Sequence, residues 1–218
     1  MFSSNYTNRL FGRTRGRSKK KINLKNYYET VDKYKFQNFN EETEYILDVG
    51  TGYGETSIFL AKKFPEKVII SCEKYIDGNL ILLKNIENNK IKNILLHNGN
   101  VYDVLESINK KYFKLIWIFF PDPWPKNRHA KRRLVTSDFL GKLHGNMKEN
   151  SEIYIATDSV IYVRFILNSI YKCKDYFNWV NQSEINLSIK DYFDIETKYY
   201  KKAINSQRKP SLFILRKL

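Results

Sequence analysis

Strands and helices alternate along most of this chain, which predicts an α/β fold built on a doubly wound, mostly parallel sheet. Three features carry the reading. Short apolar runs recur with helix-period patterns between them. A glycine-rich turn, Asp48-Val49-Gly50-Thr51-Gly52-Tyr53-Gly54, joins the first clear strand to the first clear helix. Carboxylates close later strands, at Glu73, Asp122 and Asp158, and in a parallel sheet the last two face one crevice.

The first strand is expected over 45–49 and the helix after it over 57–64, where Pro65 stops it. Between them, glycine lets backbone approach a ligand at the open end of the sheet. The spacing does not fit the dinucleotide fingerprint, because the glycines stand at 50, 52 and 54 and Glu occupies 55. A phosphate loop needs Gly-Lys-Ser/Thr, which this turn lacks. What remains, D-x-G-x-G-x-G, is a pattern associated with S-adenosylmethionine; a purely structural tight turn is the competing reading. The second strand, 67–72, delivers Glu73, about twenty residues past the glycines, where a carboxylate suits the two hydroxyls of an adenosine ribose. A helix over 76–89 leads to a strand at 93–97 and then Asn100. That amide is suited to an adenine edge and equally to capping the helix expected over 101–109.

The stretch around which the chain is organised follows. A strand at 115–120 carries Asp122 at its end, and Pro121, Pro123 and Pro125 stiffen the turn around that acid and around Trp124. Lys126, Arg128, His129, Lys131, Arg132 and Arg133 come next without an acid among them. A rigid acid beside an aromatic and a cationic block suits a held nucleobase with gripped phosphates; a proline loop before a solvated helical turn is the bland alternative. A helix at 137–147 and a strand at 152–156 close on Thr157-Asp158, where Asp158 either faces the crevice or caps the helix over 160–171. Residues 173–195 show no clear pattern, and 212–215 reads as the last strand.

The chain has 218 residues, 38 Lys and Arg against 23 Asp and Glu, and a formal charge of +15. That balance calls for an anionic partner, nucleic acid before membrane. The longest apolar run, 115–120, is far too short to span a bilayer, and the first residues lack a secretory apolar core. Cys72 and Cys173 are isolated, which fits a reducing cytoplasm and gives neither a disulfide framework nor a metal site. Eight basic residues and no acid lie between Arg9 and Lys25, including Arg13, Arg15 and Arg17. They are expected to form an arm without regular structure that orders on a polyanion, and the aromatic-rich 26–39 to pack that arm onto the domain. The division is then an arm and lead-in at 1–39 and a single domain at 40–218.

Taken together, F-F-P-D-P-W-x-K-x-R-H-x-K-R-R at 119–133, A-T-D at 156–158 and F-G-R-x-R-G-R at 11–17 resemble the bacterial tRNA (guanine-N7-)-methyltransferase family. The resemblance covers nearly the whole chain. It implies a Rossmann-like fold of S-adenosylmethionine-dependent methyltransferases, seven-stranded, with helices on both faces and a reversed last strand. It implies transfer of a methyl group to N7 of the variable-loop guanosine of tRNA, guanosine 46. It aligns Asp48, Gly50, Gly52, Gly54, Glu73, Asn100 and Asp122 with the methyl donor, and Lys126, Asp158, Thr197, Lys198, Tyr199 and Tyr200 with the RNA substrate. Arg128, His129, Lys131, Arg132 and Arg133 fall on the RNA, with the arm. Three positions depart from the family pattern: Asp48 replaces a common Glu, Asn100 an Asp, and Tyr200 the Glu of the C-terminal segment, which also lacks its Arg-Pro lead-in.

Guanine N7 carries an in-plane lone pair, so the reaction needs positioning and charge stabilisation rather than a general base. Asp122 is the expected catalytic carboxylate and Asp158 the second; Lys126 suits the guanine O6 or a phosphate. No metal or helper subunit is expected, and the chain is read as a monomer or homodimer. The rival readings are a noncatalytic RNA-binding protein of the same fold and a methyltransferase acting on another substrate.

Overall fold

A computed structural model of the chain describes residues 11, 12, 14, 15, 23–108, 110–182 and 187–218. Its centre is a seven-stranded sheet of β1 (Tyr45–Val49), β2 (Val68–Cys72), β3 (Ile94–His97), β4 (Phe113–Phe119), β5 (Met147–Thr157), β6 (Phe177–Trp179) and β7 (Ser211–Lys217), in the order β3-β2-β1-β4-β5-β7-β6. β1 to β5 run parallel, and β7 is antiparallel to both β5 and β6. The expected Rossmann-like sheet with a reversed last strand is therefore what the chain forms. The unread segment 173–195 supplies edge strand β6, too short to show a period, and a 3₁₀ turn at Ile189–Asp191.

Successive strand residues point to opposite faces, and two cores result. On one face Leu47, Ile70, Ile116 and Ile153 pack against α4 (Val101–Glu106), α5 (Ser137–Asn146) and α6 (Val160–Lys172). On the other, Ile46, Ile69, Trp117 and Ala156 pack against α1 (Leu24–Tyr34), α2 (Glu55–Lys63) and α3 (Ile76–Asn88). Burial on both faces explains why the strands read as continuous apolar runs rather than alternating ones. The lead-in is part of this packing. Tyr27 and Val31 of α1 are buried, and Phe39 stacks on Tyr112 at 4.4 Å between ring centres. A last helix, α7 (Lys198–Asn205), precedes β7. Among the described residues no helix is long and apolar enough to cross a membrane.

The chain winds outward from β1 through β2 to β3, then returns to place β4 and β5 on the other side of β1. The carboxyl ends of β1 and β4 thus form the switch point at which open α/β sheets bind ligands.

Candidate active site

A cavity of about 1030 Å³ opens at that switch point. Gly50 and Gly52 of the glycine turn form one wall, Glu73 and Tyr75 after β2 another, and Gly99 and Val101 after β3 a third. Opposite them lies the proline loop, with Asp122 and Trp124. The three turn glycines all have left-handed backbone, at φ 73°, 57° and 80°. At Gly54 a side chain is also excluded by space, since a Cβ would come within 2.5 Å of Leu82 on α3. A Cβ on Gly50 would meet nothing within 4 Å, so bare backbone faces the cavity.

Glu73 ties these walls together. One carboxylate oxygen accepts from the Gly52 amide at 2.9 Å and the other from the Tyr75 amide at 2.9 Å. Burial raises its pKa, while these backbone donors pull it down. The Lys74 backbone N–H is a third donor to it; a carboxylate offers about four acceptor positions, so about one remains for a hydroxyl donor in the cavity. Gly78 was not singled out in the sequence, yet it matters here. A Cβ on it would stand 2.0 Å from the Gly52 carbonyl oxygen, so only glycine lets α3 pass this close beneath the turn.

Asp48 sits differently from expectation. It is 1% exposed, does not line the cavity, and accepts from the Thr56 and Ser57 hydroxyls at 2.6 Å each. It braces the start of α2 beneath the turn, and burial pushes its carboxyl up to about 6 against the pull of those hydroxyls. Asn100 takes the capping role: its side chain accepts from the Tyr102 amide at 3.1 Å, and the Asp103 carboxylate accepts from the Asn100 amide at 3.3 Å. The residues on either side of it line the cavity, and Asn100 itself does not.

Beyond β4 the backbone turns sharply, with Phe120 at φ 52° and Trp124 at φ 41°. Non-glycine residues in this region are strained by about 1–3 kcal/mol each. Arg132 places its guanidinium 4.9 Å from the Trp124 ring and 5.3 Å from that of Phe11, so the arm reaches the cavity mouth. Gly12 lies beside Asp122 and Lys74, and the Thr14 carbonyl accepts from the Ile76 amide at 2.9 Å.

With this geometry in view, the family is decided by comparison. A family model described as a putative methyltransferase matches residues 42–211. The tRNA (guanine-N(7)-)-methyltransferase of Neorickettsia sennetsu is 34% identical over 180 residues, covering 81% of this chain and 80% of that protein. Its counterpart in Wolbachia pipientis wMel is 33% identical, covering 85% and 84%. The chain belongs to the tRNA (guanine-N(7)-)-methyltransferase family. An rRNA methylase from Streptococcus thermophilus shares the fold, at a TM-score of 0.52 and 11% identity over 91% of this chain and 98% of that one.

In this family member the cationic block divides in two. Lys126, Arg128 and Lys131 are exposed on and beside a 3₁₀ turn at Asn127–Arg132, where a helix start was the plainer expectation. His129 packs edge-on to Trp124, and its pKa is lowered by desolvation and by Arg132 and Arg128, which favours the neutral ring. Arg133, expected on the RNA, is 7% exposed and turned inward. Its guanidinium donates to the carbonyls of Pro123 and Trp124, so the charge is spent inside the protein. Of the arm's expected RNA contacts Arg15 is exposed; Arg13 and Arg17 lie outside the described residues.

Asp158 is paired with Arg208, which donates to it at 2.7 Å. Ser159, not Asp158, caps α6. The C-terminal segment reaches the site through α7. Thr197 caps it, accepting from the Tyr200 amide at 3.0 Å, and the Lys198 amide donates to Glu55 at 2.7 Å. Tyr199 lines the cavity next to Gly52, with its ring 6.4 Å from that of Phe120. Tyr200 turns the other way, against the core and beneath the Lys190 ammonium.

Proposed function

We propose that this chain transfers a methyl group from S-adenosylmethionine to N7 of the variable-loop guanosine of tRNA, guanosine 46. The observation that carries the reading is Asp122 at the mouth of a cavity whose opposite wall is the glycine turn and Glu73. That cavity fits an adenosyl ligand: Glu73 lines it and keeps about one acceptor position for a ribose hydroxyl, and Gly50 and Gly52 present backbone without side chains. S-adenosylmethionine supplies a methyl group on a sulfonium; the N7 lone pair attacks that carbon in line, and the C–S bond breaks to release S-adenosylhomocysteine. Asp122 stabilises the positive charge that develops on the purine. Tyr199 and Phe120 offer ring faces to the base, and Thr197 and Lys198 hold Tyr199 in place. Asp158, with Arg208, forms the second acidic position, and Lys126 reaches the base edge or its phosphate. Arg128, Lys131 and the basic residues that precede α1 grip the RNA backbone, while the lead-in packs the arm onto the domain at 40–218. Donor site, acid and cationic surface lie in one chain, which supports action without a helper subunit, as a monomer or homodimer. Two buried free thiols, Cys72 and Cys173, fit a cytoplasmic setting.

The test is methyl transfer from labelled S-adenosylmethionine to unmodified tRNA transcripts, beside a transcript with the variable-loop guanosine changed to adenosine. Label on the first alone is the expected result. Label on both overturns the target, and label on neither overturns the activity.

A further inference from the structure

Among the described residues, Arg133 is the one expected RNA contact that the fold buries, and its surroundings give it another task. Three of the five residues from Pro121 to Pro125 have no N–H, so the loop cannot build a backbone ladder of its own. It also contains left-handed Trp124, with left-handed Phe120 just before it. A loop of this kind holds one conformation only if outside donors meet its carbonyls. Arg133 supplies two: Nε to the Pro123 oxygen at 3.0 Å and Nη2 to the Trp124 oxygen at 3.1 Å. Those carbonyls follow Asp122 directly.

The guanidinium is itself held. Its carbon lies 4.9 Å from the centre of the Phe165 ring on α6, and the Arg133 amide donates to Ala130 at 3.1 Å. Two residues on, the Val135 amide donates to the Tyr162 hydroxyl at 3.0 Å and its carbonyl accepts from Ser169 at 3.0 Å. Arg133 therefore stands on α6 and carries the acid loop on its two donors.

We infer that Arg133 is a positioning residue for the methyl-transfer step, fixing the Pro121–Pro125 loop so that Asp122 meets the target base, and is not a phosphate contact. This rests on the methyltransferase reading above. A lysine keeps the charge but cannot bridge two carbonyls with a planar fork, so Arg133→Lys separates the two roles. An in-line displacement is sensitive to sub-ångström placement of its groups.

The experiment measures single-turnover methylation at saturating tRNA and donor, tRNA affinity at several salt concentrations, and donor affinity, for wild type, Arg133→Lys and Arg128→Ala. Arg133→Lys is expected to slow the methyl-transfer step by about 10- to 100-fold with tRNA affinity and its salt slope kept. Arg128→Ala is expected to lower the slope by about one. Arg133→Lys with an unchanged rate, or with weakened tRNA binding and a reduced slope, overturns the inference. Should that variant fail to bind donor and so to fold, Phe165→Leu carries the test: a slower step at unchanged salt slope supports the inference, and an unchanged rate overturns it. If wild type itself fails to methylate tRNA, the functional reading falls instead, which keeps the two failures apart.

Discussion

The Gly52 amide donates to the Glu73 carboxylate at 2.9 Å, joining the turn after β1 to the tip of β2 across 21 positions of sequence. Two parallel strands paired in register bring these ends together, with Val49 beside Cys72. The bond both shapes the turn and leaves the acid facing the cavity.

Glu73→Gln tests that double duty. The new amide group opposes either the Gly52 or the Tyr75 N–H, so a buried donor loses its acceptor at a cost of about 1–3 kcal/mol. Donor affinity is expected to fall by about 10- to 100-fold, since hydrogen bonds to a charged group contribute about 1.5–3 kcal/mol. Titration calorimetry with S-adenosylmethionine measures it; an unchanged affinity removes Glu73 from the donor site.

Asp122→Asn keeps the shape of the loop and removes its charge. The methylation rate should drop by about 100-fold, as when one preorganised electrostatic group is lost, while donor affinity changes by less than about tenfold. Rapid-quench assays on tRNA transcripts read the first quantity and calorimetry the second. Near-normal turnover would strip Asp122 of its catalytic role.

Gly78→Ala is a conservative helix substitution that should nevertheless be damaging. The added methyl would stand 2.0 Å from the Gly52 carbonyl oxygen, so α3 or the turn must shift. Overpacking of this sort costs about 1–3 kcal/mol, and a melting temperature lower by about 2–4 °C per kcal/mol is expected for a domain of this size. Donor binding should weaken alongside, because the displaced atoms belong to the turn. Differential scanning fluorimetry with and without donor checks both effects.

Asp48 sets a pH dependence of known sign. Its folded pKa of about 6 lies above the ordinary 3.8, so the native state holds its proton more tightly than the unfolded one. This favours folding fully below about pH 4, and the benefit is lost as pH rises to about 6. The loss amounts to roughly 3 kcal/mol. Asp48→Asn should remove that slope, so the stability difference between wild type and variant changes across pH 4–6 and levels off above. Urea unfolding at a series of pH values measures it; a difference that stays flat would refute the assignment.

The sequence by itself determined six of the seven strands, the reversed last strand through the family likeness, and the identity of the acids at the strand tips. These are properties of local pattern: apolar runs mark strands, and a turn with glycines at 50, 52 and 54 has few alternatives. It also showed which residue types make the cationic block, but not which way each points. Arg128 and Arg133 are five residues apart in one basic run, and one is exposed while the other serves the loop beneath it. Asp48 and Glu73 both end strands beside the glycine turn, yet one closes on the hydroxyls of α2 and the other opens to the cavity. Gly78 carries no motif, and Arg208 meets Asp158 across 50 positions. Such matters depend on which chemical groups arrive from distant segments. Only the tertiary structure decides them, because a buried charge must find its partners wherever the fold provides them.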